Sequence, residues 1–252
     1  MNTVHRLVAL AVLAAGWFGL SLLLPNFIPG PVPVVQTMWG NIVSGSAIEH
    51  LIPTLVRVGF GLLLTMVLGT LIGTLMGLSV KGELYLDSLV MVGLTVPAIV
   101  YGIICVIWFG VTDQAAIVAI GLAAFPAVAI SVWKGIKGID TELVAMGRAF
   151  RLARWEVIWK VIFPQLVPHL LAAMRYALGI CWKICTTVEL IGMPNGVGYQ
   201  LNFWFGLFSM EQVFAWTLLF LLVMFGIEFV VFKPLERYMT RWRGEEPLRL
   251  AL

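Results

Sequence analysis

The sequence predicts an all-α, polytopic membrane protein with six transmembrane helices. Of its 252 residues, 61% are hydrophobic and only 12% are charged, and the mean hydropathy is +0.99. Soluble domains contain about 45–50% apolar residues, so much of this chain must be solvated by lipid. The apolar runs leave no room for a sizeable soluble domain, and we therefore expect residues 1–252 to form a single transmembrane domain.

Six apolar runs are long enough to cross a bilayer. A hydrocarbon core of about 30 Å requires roughly 20 mostly apolar residues in a helix. The first run follows Arg6 and is long for the apolar part of a cleaved signal peptide, so we expect it to remain as the first span. The predicted spans are 4–24, 54–80, 86–111, 115–133, 169–191 and 212–232.

The second span carries glycines at helical spacing. They are Gly61, Gly69, Gly73 and Gly77. Small residues four apart let two membrane helices approach closely, where no hydrophobic effect drives the helices together. The pattern predicts that one face of this span packs tightly against another helix.

The lysines and arginines predict the orientation of the chain. If the N-terminus is cytoplasmic, 13 of the 16 basic residues fall in cytoplasmic segments and none falls in the outside segments 25–53, 112–114 and 192–211. Basic residues are concentrated on the cytoplasmic side of membrane proteins. Both termini are therefore predicted to be cytoplasmic, and residues 134–168 become the largest cytoplasmic loop.

This loop contains an amphipathic segment with an arginine-rich polar face. Its apolar residues recur every three or four positions, which predicts one helical stripe: Leu143, Met146, Phe150, Ala153, Val157 and Val161. Most of its charges lie off that stripe, and Pro164 and Pro168 then interrupt the helix. Two interpretations fit: an interfacial helix on anionic lipid, or a helix that fills a groove on a cytoplasmic protein.

Ionisable residues inside predicted spans are costly and are functional candidates, and we single out Arg57, Arg175, Lys183 and Glu189. Arg57 and Arg175 lie near the ends of their spans, where an arginine can snorkel to water. Lys183 lies near the middle of the fifth span, where it would either receive an anionic substrate group or pair with a buried acceptor. Glu189 lies six residues further along and roughly opposite on the helix, so the two need not pair.

Further candidates for a substrate pathway lie in the third and fifth spans. Pro97 leaves a backbone carbonyl without its helical donor, and Tyr101 follows one turn later. Thr187 offers a hydroxyl beside Lys183. The three cysteines all lie in spans and are expected to be buried, inert thiols.

The sequence contains no pattern that predicts catalysis in this chain. It has no phosphate-binding loop of the form G-x-x-x-x-G-K-[ST], no metal motif, no paired carboxylates and no Ser-His-Asp arrangement. It also has no basic patch for nucleic acid. We therefore expect a membrane protein that is not an enzyme and does not bind nucleic acid, metal or cofactor within this chain.

Several segments resemble the inner-membrane permeases of ABC importers. Those permeases carry a cytoplasmic motif that reads EAA, three residues, G, nine residues, I-x-L-P, and this chain has ELVAMGRAFRLARWEVIWKVIFP in the corresponding loop. Residues 161–164 match the end of the motif at the expected spacing, but Ala145 stands for the glutamate and Arg151 for the glycine. Arginine at positive φ is strained, so we expect the two halves of the motif to run as one bent helix.

The resemblance extends over nearly the whole chain and is strongest to the nitrate, sulfonate and taurine branch. The similar segments, in order, are PGPVP, HLIPTLVRVGFGLLL, TVPAIVYGIICVIWFG, SVWKGIKGID, MRYALGICWKICTTVELIG and NGVGYQL. The resemblance implies that loop 134–168 holds a coupling helix that docks on a separate ATPase. The residues implied for this coupling are Met146, Gly147, Arg148, Phe150, Arg151 and Leu152.

The resemblance also implies the assembly in which this chain works. It implies a multi-pass protein of the bacterial inner membrane, two copies of the chain, two ATPase subunits that bind ATP and Mg, and a soluble solute-binding protein. The transported solute would be small and anionic, and residues Pro97, Tyr101, Lys183, Thr187 and Glu189 would line its path. The alternatives are an ion-coupled secondary transporter, which should show paired inverted repeats, and an integral membrane enzyme.

Overall fold

The computed structural model describes residues 3–25 and 27–239, and within these ranges the fold is helical without strands. This confirms the predicted all-α class. The helices are α1 (Thr3–Leu23), α2 (Pro31–Val43), α3 (Ser46–Leu78), α4 (Val80–Thr95), α5 (Ala98–Phe109), α6 (Asp113–Lys137), α7 (Thr141–Ala149), α8 (Arg154–Val157), α9 (Phe163–Gly192), α10 (Val197–Gly206), α11 (Met210–Ile227) and α12 (Lys233–Met239), with π-helical turns at Ile158–Ile162 and Glu228–Phe232.

Five of the six predicted spans overlap a continuous helix, and the third is broken. Among the described residues, four continuous helical stretches are long and apolar enough to cross a membrane: Ser46–Leu78, Asp113–Lys137, Arg154–Gly192 and Met210–Met239. They contain three of the predicted spans, 115–133, 169–191 and 212–232, and the first stretch overlaps the second predicted span, 54–80; α1 overlaps the first predicted span. The third predicted span, 86–111, is divided into α4 and α5, which meet at 95°.

The chain forms two compact units. Among the described residues, one unit comprises those up to Arg57 together with Thr186–Met224, and the second comprises Val58–Cys185 together with those from Phe225 onward. In the first unit, Ala47, Val197, Trp216 and Leu219 form an apolar core. In the second unit, the cores form around α6, which contributes Phe125, Ala129, Val128 and Val132.

The glycine face of α3 packs directly on α6, as predicted. A Cβ atom at Gly61 would lie 2.6 Å from Ile120, one at Gly69 would lie 2.5 Å from Val128, and one at Gly77 would lie 2.7 Å from Ile136. Real Cβ atoms do not approach other atoms this closely, so only glycine permits this contact. Dispersion between the closely packed backbones replaces the hydrophobic effect that is missing in lipid.

Candidate functional site

The coupling segment, defined as residues 134–168, folds as two short helices that lead into α9. Asp140 begins α7, because its carboxylate accepts hydrogen bonds from the backbone N–H groups of Glu142 at 2.8 Å and Leu143 at 3.3 Å. Such an N-cap satisfies donors that lack a partner in the first turn. The chain then turns between Phe150 and Ala153, and α8 starts at Arg154.

The turn shows that the prediction of one bent helix was wrong. Arg151 adopts a left-handed backbone with φ of 57°. Its N–H donates to the carbonyl of Arg148 at 2.9 Å, and the N–H of Leu152 donates to the carbonyl of Gly147 at 3.2 Å. These two bonds form the helix-terminating motif that usually has glycine in the left-handed position. The chain therefore keeps the turn of the related motif with arginine where glycine is usual.

The predicted single apolar stripe is also wrong, because the chain reverses direction within it. Gly147 is buried, and a Cβ there would contact Leu152, Val157 and Val161, each at 3.6 Å. Val157 therefore packs against α7 and is 6% exposed. Met146 and Phe150 remain on the surface, with exposed fractions of 53% and 74%.

Basic residues border this exposed apolar surface. Arg148 and Arg151 are exposed. An open groove of about 620 Å³ lies between α7 and α8, with a mainly apolar lining and two arginines, Arg148 and Arg154, in its wall. The apolar lining residues are Val144, Leu152, Val157, Ile158 and Ile162. The coupling segment therefore carries exposed apolar side chains with arginines beside them.

The break between α4 and α5 has a specific chemical cause, which confirms the predicted kink at Pro97. Proline has no N–H, so the carbonyl of Gly93 lacks its usual helical donor. The hydroxyl of Tyr101 donates to that carbonyl at 3.1 Å. A Cβ at Gly93 would lie 2.8 Å from Pro126, so α6 packs against the broken turn. Pro97 itself is exposed at the break.

Lys183 lies on the exposed side of α9. Its neighbours Cys181, Trp182 and Ile184 are almost fully buried, at 0%, 1% and 2% exposure. Tyr176, seven residues before Lys183, is exposed on the same face, since seven residues make nearly two helical turns. Thr187 is half-buried one turn further along. Lys183 is thus an exposed residue on a helix whose adjacent residues are buried.

Glu189 lies elsewhere, in a buried ion pair with Arg57. Nη1 of Arg57 is 2.8 Å from Oε1 of Glu189, and the two side chains are 2% and 0% exposed. Arg57 also donates from Nη1 to the carbonyl of Asn195 at 3.0 Å and from Nη2 to the side-chain oxygen of the same residue. The prediction that Arg57 snorkels to water was therefore wrong. Its charge is neutralised inside the first unit.

The same cluster holds the beginning of α10. Three successive N–H groups donate to side chains: Gly196 to Nδ1 of His50 at 3.2 Å, Val197 to Oγ1 of Thr54 at 2.9 Å, and Gly198 to Oε2 of Glu189 at 2.9 Å. The first N–H groups of a helix have no partner within the helix, and a carboxylate there also interacts favourably with the helix dipole. Thr54 donates its hydroxyl proton to Glu189 at 2.8 Å.

The hydrogen bond to Gly196 fixes the tautomer of His50. Because Nδ1 accepts the hydrogen bond from Gly196, the neutral ring carries its hydrogen on Nε2. That nitrogen lies 2.6 Å from Nε2 of Gln200. Two N–H donors cannot bond each other, so this tautomer requires the Gln200 amide to be turned over, with its oxygen toward the ring.

Sequence reasoning missed His50, Thr54 and the role of Gly196. Gly196 has φ of 112°, and a side chain there would collide with the carboxylate of Glu189. The signal was present as the pair Gly196 and Gly198 directly before an apolar helix, and as His50, Thr54 and Arg57 at spacings of four and three. Neither pattern indicates that these residues contact the carboxylate of Glu189.

The described residues contain no group of three His, Cys, Asp or Glu side chains that could hold a metal ion. Cys105, Cys181 and Cys185 are buried free thiols, as predicted.

The chain is similar to known transport permeases over most of its length. A Bacillus subtilis (strain 168) protein named as a permease for aliphatic sulfonates is 34% identical over 237 residues, which cover 93% of this chain and 86% of the relative. The taurine transport system permease of Escherichia coli (strain K12) is 30% identical, with 94% and 88% covered. The nitrate import permease of Synechococcus elongatus is 28% identical, with 76% and 73% covered.

Solved structures show the same fold at lower identity. An inward-facing structure of the MetNI methionine ABC transporter superposes with a TM-score of 0.66 at 21% identity, and covers 76% of this chain and 95% of that chain. An amino acid ABC transporter gives a TM-score of 0.62 at 20% identity, with 80% and 97% covered.

Residues 65–233 match the family model of the binding-protein-dependent transport system inner membrane component. This range includes three glycines of the α3 face (Gly69, Gly73 and Gly77), the break at Pro97, the coupling segment and Lys183. The chain therefore belongs to this family, the membrane permease subunits of ABC importers.

Proposed function

We propose that the chain forms the membrane pathway for a small sulfonate or a similar anion and works as a pair of identical copies. The observation that carries the substrate class is the similarity over more than nine-tenths of the chain to permeases named for aliphatic sulfonates and taurine. One chain forms one half of the pathway, and a second copy related by a two-fold axis forms the other half.

The exposed face of α9 is the part of the pathway that meets the anion. Lys183 supplies a positive charge there and is flanked by buried residues that fix the orientation of the helix. Pro97, Tyr101, Thr187 and Glu189 stay predicted pathway residues. A cation at mid-membrane is costly unless a partner or a substrate compensates it.

Transport is driven by ATP hydrolysis in a separate subunit that docks on the coupling segment. The exposed Met146 and Phe150 are the central anchors, and Arg148 and Arg151 lie at the rim. ATP and Mg bind the partner ATPase and not this chain. A soluble binding protein delivers the solute on the side opposite to the termini, both of which are cytoplasmic.

Reconstituted transport tests this function. Vesicles that contain the permease, its ATPase and its binding protein should accumulate taurine or a short alkanesulfonate when ATP is supplied, and the purified permease alone should hydrolyse no ATP. Lys183→Gln should lower uptake, and Lys183→Arg should restore it. Lys81→Gln removes an exposed lysine outside both the pathway and the coupling segment and serves as the matched control.

Two results would contradict the proposal. Uptake of an uncharged solute with no response to sulfonates would refute the substrate class. Equal uptake by the Lys183→Gln and wild-type proteins at limiting substrate concentration would refute the role of Lys183.

A further inference from the structure

A cleft lies at the end of the last apolar helical stretch, Met210–Met239. It has an open volume of about 630 Å³ and is lined by Phe229, Lys233, Pro234, Arg237 and Tyr238. Two cations, a phenol and an aromatic ring therefore meet where a long apolar helix ends. Neither the transport pathway nor the coupling segment uses these residues.

The basic and the acidic residues of this helix have different neighbours. Phe229, Lys233 and Arg237 recur every four residues and share one side, and Nζ of Lys233 lies 3.8 Å from the centre of the Phe229 ring. Glu228 and Glu236 both form ion pairs with Arg175 of α9, the second of them at 3.2 Å. The carboxylates of this region are thus directed to Arg175.

The lining of the cleft is basic. Lys233 and Arg237 supply two cations, and none of the five lining residues is acidic. Within residues 3–25 and 27–239, no carboxylate forms an ion pair with Lys233 or Arg237. An anionic group in the cleft would compensate these charges.

We propose that this cleft binds the phosphate group of an anionic phospholipid, one lipid per chain, in the leaflet next to the cytoplasm. The ammonium of Lys233 and the guanidinium of Arg237 bind the phosphate oxygens, and the hydroxyl of Tyr238 donates a further hydrogen bond. Guanidinium groups match phosphate geometry with paired donors.

The surroundings identify the ligand as a lipid and not a soluble phosphate. Exposed apolar side chains continue from the cleft along the same helix: Phe225 at 59% exposure, Phe229 at 53% and Val230 at 74%. They offer acyl chains a surface directly beside the charged end of the site. Basic pockets of this kind on the cytoplasmic side of membrane helices bind acidic headgroups.

Native mass spectrometry of the full-length, delipidated permease tests this site. The protein is titrated with phosphatidylglycerol or phosphatidylcholine of the same acyl chains, and bound lipids are counted for each chain. The test variant is Lys233→Gln/Arg237→Gln. The matched control is Lys81→Gln/Lys134→Gln, which removes the same charge from two exposed lysines in other segments predicted to be cytoplasmic.

We expect one phosphatidylglycerol per wild-type chain, held at least about tenfold more tightly than phosphatidylcholine, because two basic groups near an anionic headgroup both contribute. The test variant should lose this preference, and the control should keep it to within about twofold. Lys233→Arg/Arg237→Lys keeps both charges and should retain binding, which separates lost binding from lost folding.

Three outcomes would overturn the proposal. The first is an absence of preference for phosphatidylglycerol in the wild-type chain. The second is an equal loss in the control, which would indicate diffuse surface attraction. The third is displacement of the lipid by millimolar inorganic phosphate that binds through Lys233 and Arg237, which would make this a site for soluble phosphate.

Discussion

Arg57 and Glu189 form a buried ion pair between residues 132 positions apart in the sequence, with 2.8 Å between Nη1 and Oε1. The pair stands at the N-terminus of α10 and joins three segments of the first unit: the start of α3, the end of α9 and the loop that contains Asn195. Both side chains are nearly inaccessible to water, so each charge depends on the other for compensation.

Replacement of Glu189 by glutamine should strongly destabilise the protein. Removal of one partner from a buried ion pair costs about 3–5 kcal/mol, because the remaining charge stays buried without compensation. Thermal unfolding of the purified permease should show a lower midpoint. The control is Lys160→Ala, since Lys160 pairs with Glu156 at 2.7 Å on the surface, and an exposed pair of this spacing contributes about 0.3–0.5 kcal/mol. Similar shifts in both variants would contradict a buried, mutually dependent pair.

A methyl group at Gly69 should disrupt the packing of α3 on α6. Its carbon would lie 2.5 Å from Cβ of Val128, and overpacking of this kind costs about 1–3 kcal/mol. Gly59→Ala is the matched control in the same helix, because nothing lies within 4 Å of a Cβ at that position. We expect a lower unfolding midpoint for Gly69→Ala and an equal or higher midpoint for Gly59→Ala. The opposite order would mean that the two helices do not approach as described.

Glycine at position 151 should stabilise the coupling segment. A side chain in the left-handed conformation costs about 1–2 kcal/mol, and Arg151 bears that cost at φ of 57°. Arg151→Gly removes the charge and relieves the strain, whereas Arg151→Ala removes only the charge. Thermal unfolding should therefore rank glycine above both alanine and arginine. If alanine and glycine stabilise equally, the effect arises from charge, and the backbone explanation fails.

Loss of the Tyr101 hydroxyl should destabilise the protein at the break between α4 and α5. Tyr101→Phe leaves the Gly93 carbonyl without the donor that Pro97 cannot supply, at a cost of about 1–3 kcal/mol for a buried acceptor. Tyr176→Phe is the control, because Tyr176 is 66% exposed on α9. The unfolding midpoint should fall only for Tyr101→Phe. An unchanged midpoint would show that water replaces the hydroxyl at this carbonyl.

Truncation of Phe150 should release the ATPase subunit from the permease at any ionic strength. Central apolar anchors carry about 2 kcal/mol or more, which is roughly thirtyfold in affinity. Arg148→Ala should weaken association mainly at low salt, because an exposed charge contributes about 0–1 kcal/mol and is screened. Pull-down of the ATPase at two salt concentrations measures both effects. If Phe150→Ala leaves the complex intact and the arginine change alters only binding to anionic vesicles, the segment is a lipid-surface helix.

Local patterns in the sequence predicted the helices, a tightly packed glycine face on α3 and the carbonyl that Pro97 leaves without its helical donor. Each depends on residues a few positions apart, on chain sterics or on composition. The ion pair of Arg57 and Glu189 could not be predicted in this way, because nothing within a single helix states which distant charge it will meet. The stripe through Val157 failed for a related reason: its periodicity continues through Arg151, but the backbone reverses there.

The cluster around α10 constrains how this chain can change in length. His50, Thr54 and Arg57 lie on one side of α3, and each adds a contact to the segment between Glu189 and Gly198. One residue inserted between His50 and Arg57 would rotate the side chains on one side of the insertion by about 100° relative to the others. The hydrogen bonds of His50, Thr54 and Arg57 could then no longer all form, even if every inserted or flanking residue were a good helix former. The two helical turns between His50 and Arg57 are therefore fixed in length, and we expect them to accept neither insertions nor deletions.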